Sequence, residues 1–196
     1  MTSMGKDSEL PVNLHPTLGC CGLDCSLCPR YYTVSSSRCP GCYGLDFFSK
    51  HPSCPFITCC VKKKTLESCA QCGEFPCSRF KGSDRRDSFV TKQKSLSNLN
   101  MVKEGGLERF INRQGQQIKL LEAMLTEFNE GRSKSFYCLA TALLPITDME
   151  VSLSKADQEI RNNSTRPEDV KTKANILRRF LNSYANERGI ELKLRN

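Results

Sequence analysis

Twelve of the chain's thirteen cysteines fall between Cys20 and Cys77, and this block decides what the chain can fold into. The spacing is that of metal ligands: Cys21-x3-Cys25-x2-Cys28, Cys39-Pro-Gly-Cys42-Tyr-Gly, Cys54, Cys59-Cys60, Cys69-x2-Cys72-Gly and Cys77. Residues 19–80 hold few long aliphatic side chains and many Gly, Pro and Ser. Such a segment buries too little apolar surface to fold unaided and needs metal or covalent staples. Disulfides suit secreted chains, but the first 18 residues carry charges, two prolines and no apolar run of the kind a signal peptide needs. An odd number of cysteines would also leave one thiol over. Repeated two-residue spacings suit tetrahedral thiolate sites, so metal is expected, in a soluble cytoplasmic protein. No stretch reaches the roughly 18 apolar residues of a membrane span.

The strongest unit is Cys39-Pro40-Gly41-Cys42-Tyr43-Gly44, a zinc-knuckle or rubredoxin-type turn. Two sulfurs must converge at about 2.3 Å on one metal. Proline fixes one φ and glycine supplies a positive one, so that backbone N–H groups face the sulfurs. Cys69-Ala-Gln-Cys72-Gly73 is a second such turn, and Cys25-Ser-Leu-Cys28-Pro29 a third pair. Cys25, Cys28, Cys39 and Cys42 can make one four-cysteine site. Cys54, Cys60, Cys69 and Cys72 can make another, with Cys77 competing. Interleaved pairings stay open, because spacing does not give connectivity, and Cys21 and Cys77 leave room for a third metal or a cluster. Cys20, Cys59 and Cys138 read as buried or spare thiols. His51 is read as exposed or internally satisfied rather than as a ligand.

Zinc, about two ions per chain, is the expected metal, because several knuckle turns favour tetrahedral all-thiolate sites. An iron–sulfur cluster is the alternative. Cys21-x3-Cys25-x2-Cys28 has the spacing used by radical-SAM enzymes, but no strand–helix alternation exists to build their barrel. The ferredoxin cysteine run is absent as well.

These residues also carry a resemblance. Cys21-Gly-Leu-Asp-Cys25-Ser-Leu-Cys28-Pro29, Cys39-Pro-Gly-Cys42 and Cys69-Ala-Gln-Cys72-Gly-Glu-Phe-Pro-Cys77 together resemble the cysteine-rich prokaryotic domain-of-unknown-function family 3795. The resemblance spans about residues 19–80 and implies metal binding. It brings no activity. Its pattern places a cysteine about nine positions before the CxxC pair, which favours Cys60 over Cys59 as a ligand. The helical half looks like an extension that some members carry.

Beyond a tail (1–18), the cysteine-rich metal-binding domain (19–80) and a charged linker (81–94), residues 95–196 read as a helical domain. Leu107, Phe110, Ile111, Ile118, Leu121, Leu125 and Phe128 form a helical stripe that closes at Gly131. Ser135 to Leu144 is a short apolar helix stopped by Pro145. Thr147-Asp-Met-Glu150 fits a capping box. Thr165-Arg-Pro167 starts a further helix, with Val170, Ala174, Leu177, Leu181 and Tyr184 inward and Gly189 at its end. Ile190 to Arg195 alternates like a short edge strand. The fold expected is mainly α: an irregular, zinc-stapled N-terminal domain with short β or knuckle turns, and a C-terminal helical bundle.

Other chemistry is thin. Arg132, Ser133, Lys134 and Ser135 precede a helix and offer cations, hydroxyls and N–H groups to an anion; the plainer reading is a loop with a serine cap. Glu74, between two ligand positions, reads as support for a ligand or a turn. Lys62 to Lys64 with Arg85 and Arg86 read as a solvated charge run. The formal charge of +8 falls by about four if eight thiolates hold two zinc ions, so nucleic-acid binding is not expected. No catalytic set emerges. The leading expectation is a metal-binding interaction or scaffold module with a protein partner. The alternatives are an iron–sulfur protein in electron transfer or redox sensing, and an enzyme with an anion-binding cleft between the two halves.

Overall fold

The computed structural model describes residues 15, 17–44, 47, 53–83 and 85–195; most of the tail and His51 lie outside these. The chain is mainly helical, with an irregular cysteine-rich N-terminal part and a helical C-terminal part. Four long helices form the latter: α1 (Ser95–Glu127), α2 (Lys134–Leu143), α3 (Ile146–Asn162) and α4 (Val170–Glu187). Helix α2 is the apolar centre. Its residues Tyr137 to Leu143 are all buried, and it packs on α1 and on the Cys25–Leu27 turn, while α3 and α4 lie along each other.

The stripe on α1 is shifted from the one periodicity marks. Phe110, Leu121, Met124 and Phe128 are buried as apolar residues should be, but Gln114 and Gln117 share their face. Both are satisfied internally: Gln117 Nε2 donates to the Thr141 carbonyl at 2.7 Å and Gln114 Nε2 to Asp24 Oδ1 at 2.9 Å. A buried amide is tolerated where its donors find partners. Helix α1 also breaks at Gly106, whose φ of 79° and ψ of 163° are non-helical. The part before the break packs Leu96, Leu99 and Val102 among the cysteines. The part after it packs Leu121, Met124 and Phe128 in the bundle core.

Several boundaries differ from expectation. Helix α1 ends at Glu127, and Gly131, at φ 95°, lies in the loop beyond rather than at its cap. Helix α3 starts at Ile146 straight after Pro145, so Thr147 to Glu150 lie inside the helix and form no capping box. Asp148 instead pairs with Arg188 at the end of α4. Helix α4 starts at Val170, where the Asp169 carboxylate caps Thr172 N–H at 3.1 Å; an aspartate cap outcompetes the earlier Pro167. Ile190 to Arg195 form no strand. The bridge recorded among the described residues joins Leu18 and Asp24, and Arg195 N–H donates to the Asp87 carboxylate.

Candidate metal centre

Two CxxC pairs are built the same way. Cys25–Leu27 and Cys69–Gln71 are single 3-10 turns, closed by Cys28 N–H on Cys25 O at 3.2 Å and Cys72 N–H on Cys69 O at 3.1 Å. Each has a polar cap one residue before the first cysteine: Asp24 accepts from Ser26 N–H, and Ser68 accepts from Ala70 N–H. Such a turn sets both sulfurs on one side of the backbone. The Cys39 pair uses the other device. Gly41 takes φ 86°, and Gly44 lies so close to Pro40 that a Cβ would meet its carbonyl oxygen at 2.2 Å.

The sharpest convergence joins Cys20, Cys60 and Cys69. All three are buried, and their Sγ atoms lie within 4.8 Å of one another. Sulfurs around a tetrahedral zinc sit about 3.8 Å apart when each bond is about 2.3 Å, so this donor set closes on one thiophilic ion with small shifts. The electrostatics agree. Donation from Cys20, and then from Cys69, pulls the Cys60 thiol down to about 4. The same contact with Cys60 drives Cys20 up. The three sulfurs thus set one another's ionisation, and a cation among them would favour the thiolate form of all three. Cys72 lies on the rim of this cluster, half-buried. Lys64 Nζ donates to its Sγ at 3.3 Å and pairs with Glu74 at 2.7 Å. Glu74 therefore supports a cysteine through Lys64. Cys59 and Cys77 line the same cavity, of about 330 Å³.

The other six cysteines of the block, Cys21, Cys25, Cys28, Cys39, Cys42 and Cys54, line a second cavity of about 330 Å³. Cys25 and Cys42 approach to 3.6 Å. Burial pushes the Cys21 thiol up to about 12 and raises Cys28 as well. Phe47, Phe56, Phe80, Phe89 and Tyr31 complete the wall. With the first cluster, all ten cysteines singled out by spacing thus border one of two cavities, and Cys54 borders the one holding Cys21 and Cys25.

Residues 17–82 match the family model described as a protein of unknown function, DUF3795. This segment is similar to DUF3795. The match covers the whole cysteine block and agrees with the resemblance read from its motifs. No curated protein and no solved structure matches the chain.

Cys20 is the ligand-type residue of this segment that spacing misses. Spacing makes it a spare thiol because it stands outside every CxxC pair; only its adjacency to Cys21 marks it. Cys60, rather than Cys59, enters the cluster. Cys138 is 1% exposed in the bundle core, as its helix predicts, and burial holds its thiol up at about 12. At the candidate anion site, Arg132 and Ser135 are exposed and Lys134 half-buried. The buried Ser133 donates to Glu130 Oε1 at 2.9 Å and accepts from Arg178 at 3.3 Å, so an internal carboxylate stands at this helix start. Among the described residues no helix is long and apolar enough to cross a membrane.

Proposed function

We infer that the chain is a metalloprotein whose metal holds the cysteine block in shape for interaction with a protein partner. What carries the reading is the triad of buried sulfurs from Cys20, Cys60 and Cys69 within 4.8 Å. The ion is zinc, with Cys72 as the fourth ligand: it follows Cys69 in one turn and is electrostatically coupled to Cys60. Four thiolates leave no open position for water, so the site is structural rather than Lewis-acidic. The reading places the protein in the cytoplasm, where thiols stay reduced.

A second reading applies to the cavity lined by six cysteines. Six sulfurs around about 330 Å³ exceed what one ion needs and suit an iron–sulfur cluster, with redox sensing or electron transfer as the role.

Elemental analysis and a visible spectrum on protein purified without oxygen test both. About two zinc per chain and no colour support structural sites. Iron with acid-labile sulfide supports the cluster. Cys20→Ser should lower metal content, whereas Cys138→Ser should leave it unchanged. A chain that holds no metal, or a Cys20→Ser variant with full metal content, refutes the ligand assignment.

A further inference from the structure

Three neighbouring residues thread between the two cysteine cavities. Gly19 backs onto the one lined by Cys42: a Cβ there would lie 3.2 Å from Cys42 Sγ. Cys20 turns into the triad with Cys60 and Cys69. Cys21 lines the six-cysteine cavity with Cys25 and Cys54. The vicinal pair therefore divides its two side chains between the triad and the second cavity.

That peptide is held on both sides. Cys69 N–H donates to Cys20 O at 2.9 Å, tying the pair to the second CxxC turn. Gly19 N–H donates to Leu23 O at 2.9 Å and Gly22 N–H to Gly19 O at 2.8 Å, closing a tight loop around the pair. Cys25 N–H donates to Thr17 O at 2.7 Å, tying the same loop to the first CxxC turn. The backbone has no slack with which Cys20 could move without Cys21.

We propose that Cys20 and Cys21 ligate two different metal centres, so that thiophilic metal ions load the two cavities cooperatively. The proposal rests on the metal-binding reading above. The ion that fills one centre fixes the Gly19–Gly22 loop and so orders one ligand of the other. The second ion then meets a site whose ordering entropy is already lost, which is positive coupling without any contact between the ions.

Cobalt(II) is the probe, with the full-length reduced chain. Cys60→Ser removes the triad while leaving the vicinal pair intact. Cobalt affinity at the remaining centre, read by competition with a chromogenic chelator, should weaken by roughly 5–150-fold, the usual range of coupling between sites. Unchanged affinity overturns the proposal. Because Cys60→Ser can fail to fold, the wild-type chain is also read by native mass spectrometry at one equivalent of cobalt. Independent equal sites leave about half the chains singly loaded, and coupling of that size lowers the share to between about a third and about a thirteenth. A share at or above half overturns the coupling while leaving metal binding intact. A wild-type chain that takes up no cobalt overturns the metal-binding reading itself.

Discussion

Asp24 joins the first CxxC turn to the long helix through one oxygen. Its Oδ1 accepts from Ser26 N–H at 3.0 Å, from Ser26 Oγ at 2.5 Å and from Gln114 Nε2 at 2.9 Å. Burial raises its pKa, and the hydrogen bonds to Ser26 and Gln114 oppose that rise without cancelling it. Asp24→Ala removes the acceptor and strands a buried amide, a loss of about 1–3 kcal/mol. Asp24→Asn keeps an oxygen for the same donors. The sign of its pH effect follows from the raised pKa. The native state binds the extra proton, so the carboxyl's contribution is full below the ordinary aspartate range, near about 4, and is lost as pH rises through the raised native value. Urea titrations should therefore show Asp24→Asn gaining on the wild type between about pH 4 and neutrality. A stability difference flat across that range would mean the carboxyl is not perturbed. Gln114 could not be read in advance as its partner, because a glutamine within a helical stripe looks like a solvent position. Cys20 was hidden for a related reason: its sulfur partners lie 40 and 49 residues away, and spacing reports only local pairs.

At the level of elements, the junction between the cysteine block and α1 depends on Gly22. Its φ is 81°, and a Cβ would meet Ser95 O at 2.2 Å and Leu99 Cγ at 2.7 Å. Asn98 Nδ2 reaches the Gly22 carbonyl at 2.9 Å, so the first turns of α1 lie directly on this glycine. Gly22→Ala combines a left-handed backbone, about 1–2 kcal/mol for an L-residue, with a clash against helix backbone that cannot rotate away. The total should exceed about 2 kcal/mol, in the range of named severe mechanisms. Gly73→Ala is the control. Nothing lies within 4 Å of its Cβ, and the change should stay within about 0.5 kcal/mol. Equal chemical-denaturation midpoints for the two variants would show that α1 does not need this close approach. The helices themselves are legible from periodicity: α2 buries its apolar run, and α4 buries Ala174, Leu177 and Leu181 as expected, with Ile176 and Ala185 in place of the half-buried Val170 and Tyr184. Their starts are not, because Pro145 and Asp169 begin α3 and α4 where Thr147 and Pro167 offer equally good local signals. The alternation at Ile190 to Arg195 lacked what a strand needs, a partner edge.

Across the whole molecule, two cores of different chemistry share one helix. The bundle core is ordinary hydrocarbon: Leu121, Met124, Tyr137, Met149, Leu177 and Leu181 are wholly buried and need no ion. The other core is made largely of sulfur, with Leu99, Ile57, Phe75 and Phe80 between the thiols. Cys20, Cys25, Cys42, Cys60 and Cys69 are buried in it and Cys21, Cys54, Cys72 and Cys77 pack against them; on the metal-binding reading proposed above, an ion that ionises these thiols also stabilises this half. The break in α1 at Gly106 falls where the helix passes from one core to the other, and Lys103 to Gly106 are exposed around it. Removing metal with a chelator and reductant at neutral pH should therefore unfold the cysteine block and the α1 residues before Gly106, and spare the rest. Far-UV ellipticity should fall only modestly, because α2, α3, α4 and the longer part of α1 persist. Limited proteolysis should cut near Lys103 and leave a resistant fragment running from about residue 107 to the end. Leu27 sets the size of the side effect. It belongs to the bundle core but comes from the cysteine block, so its withdrawal leaves a cavity, and the stripped bundle should melt at a lower temperature, having lost about 2–5 kcal/mol as for a buried leucine truncation. A single transition that takes all helicity with the metal would show instead that the two cores fold as one unit. No change on chelation would show that the thiol core stands without an ion, and the metal reading would fall with it.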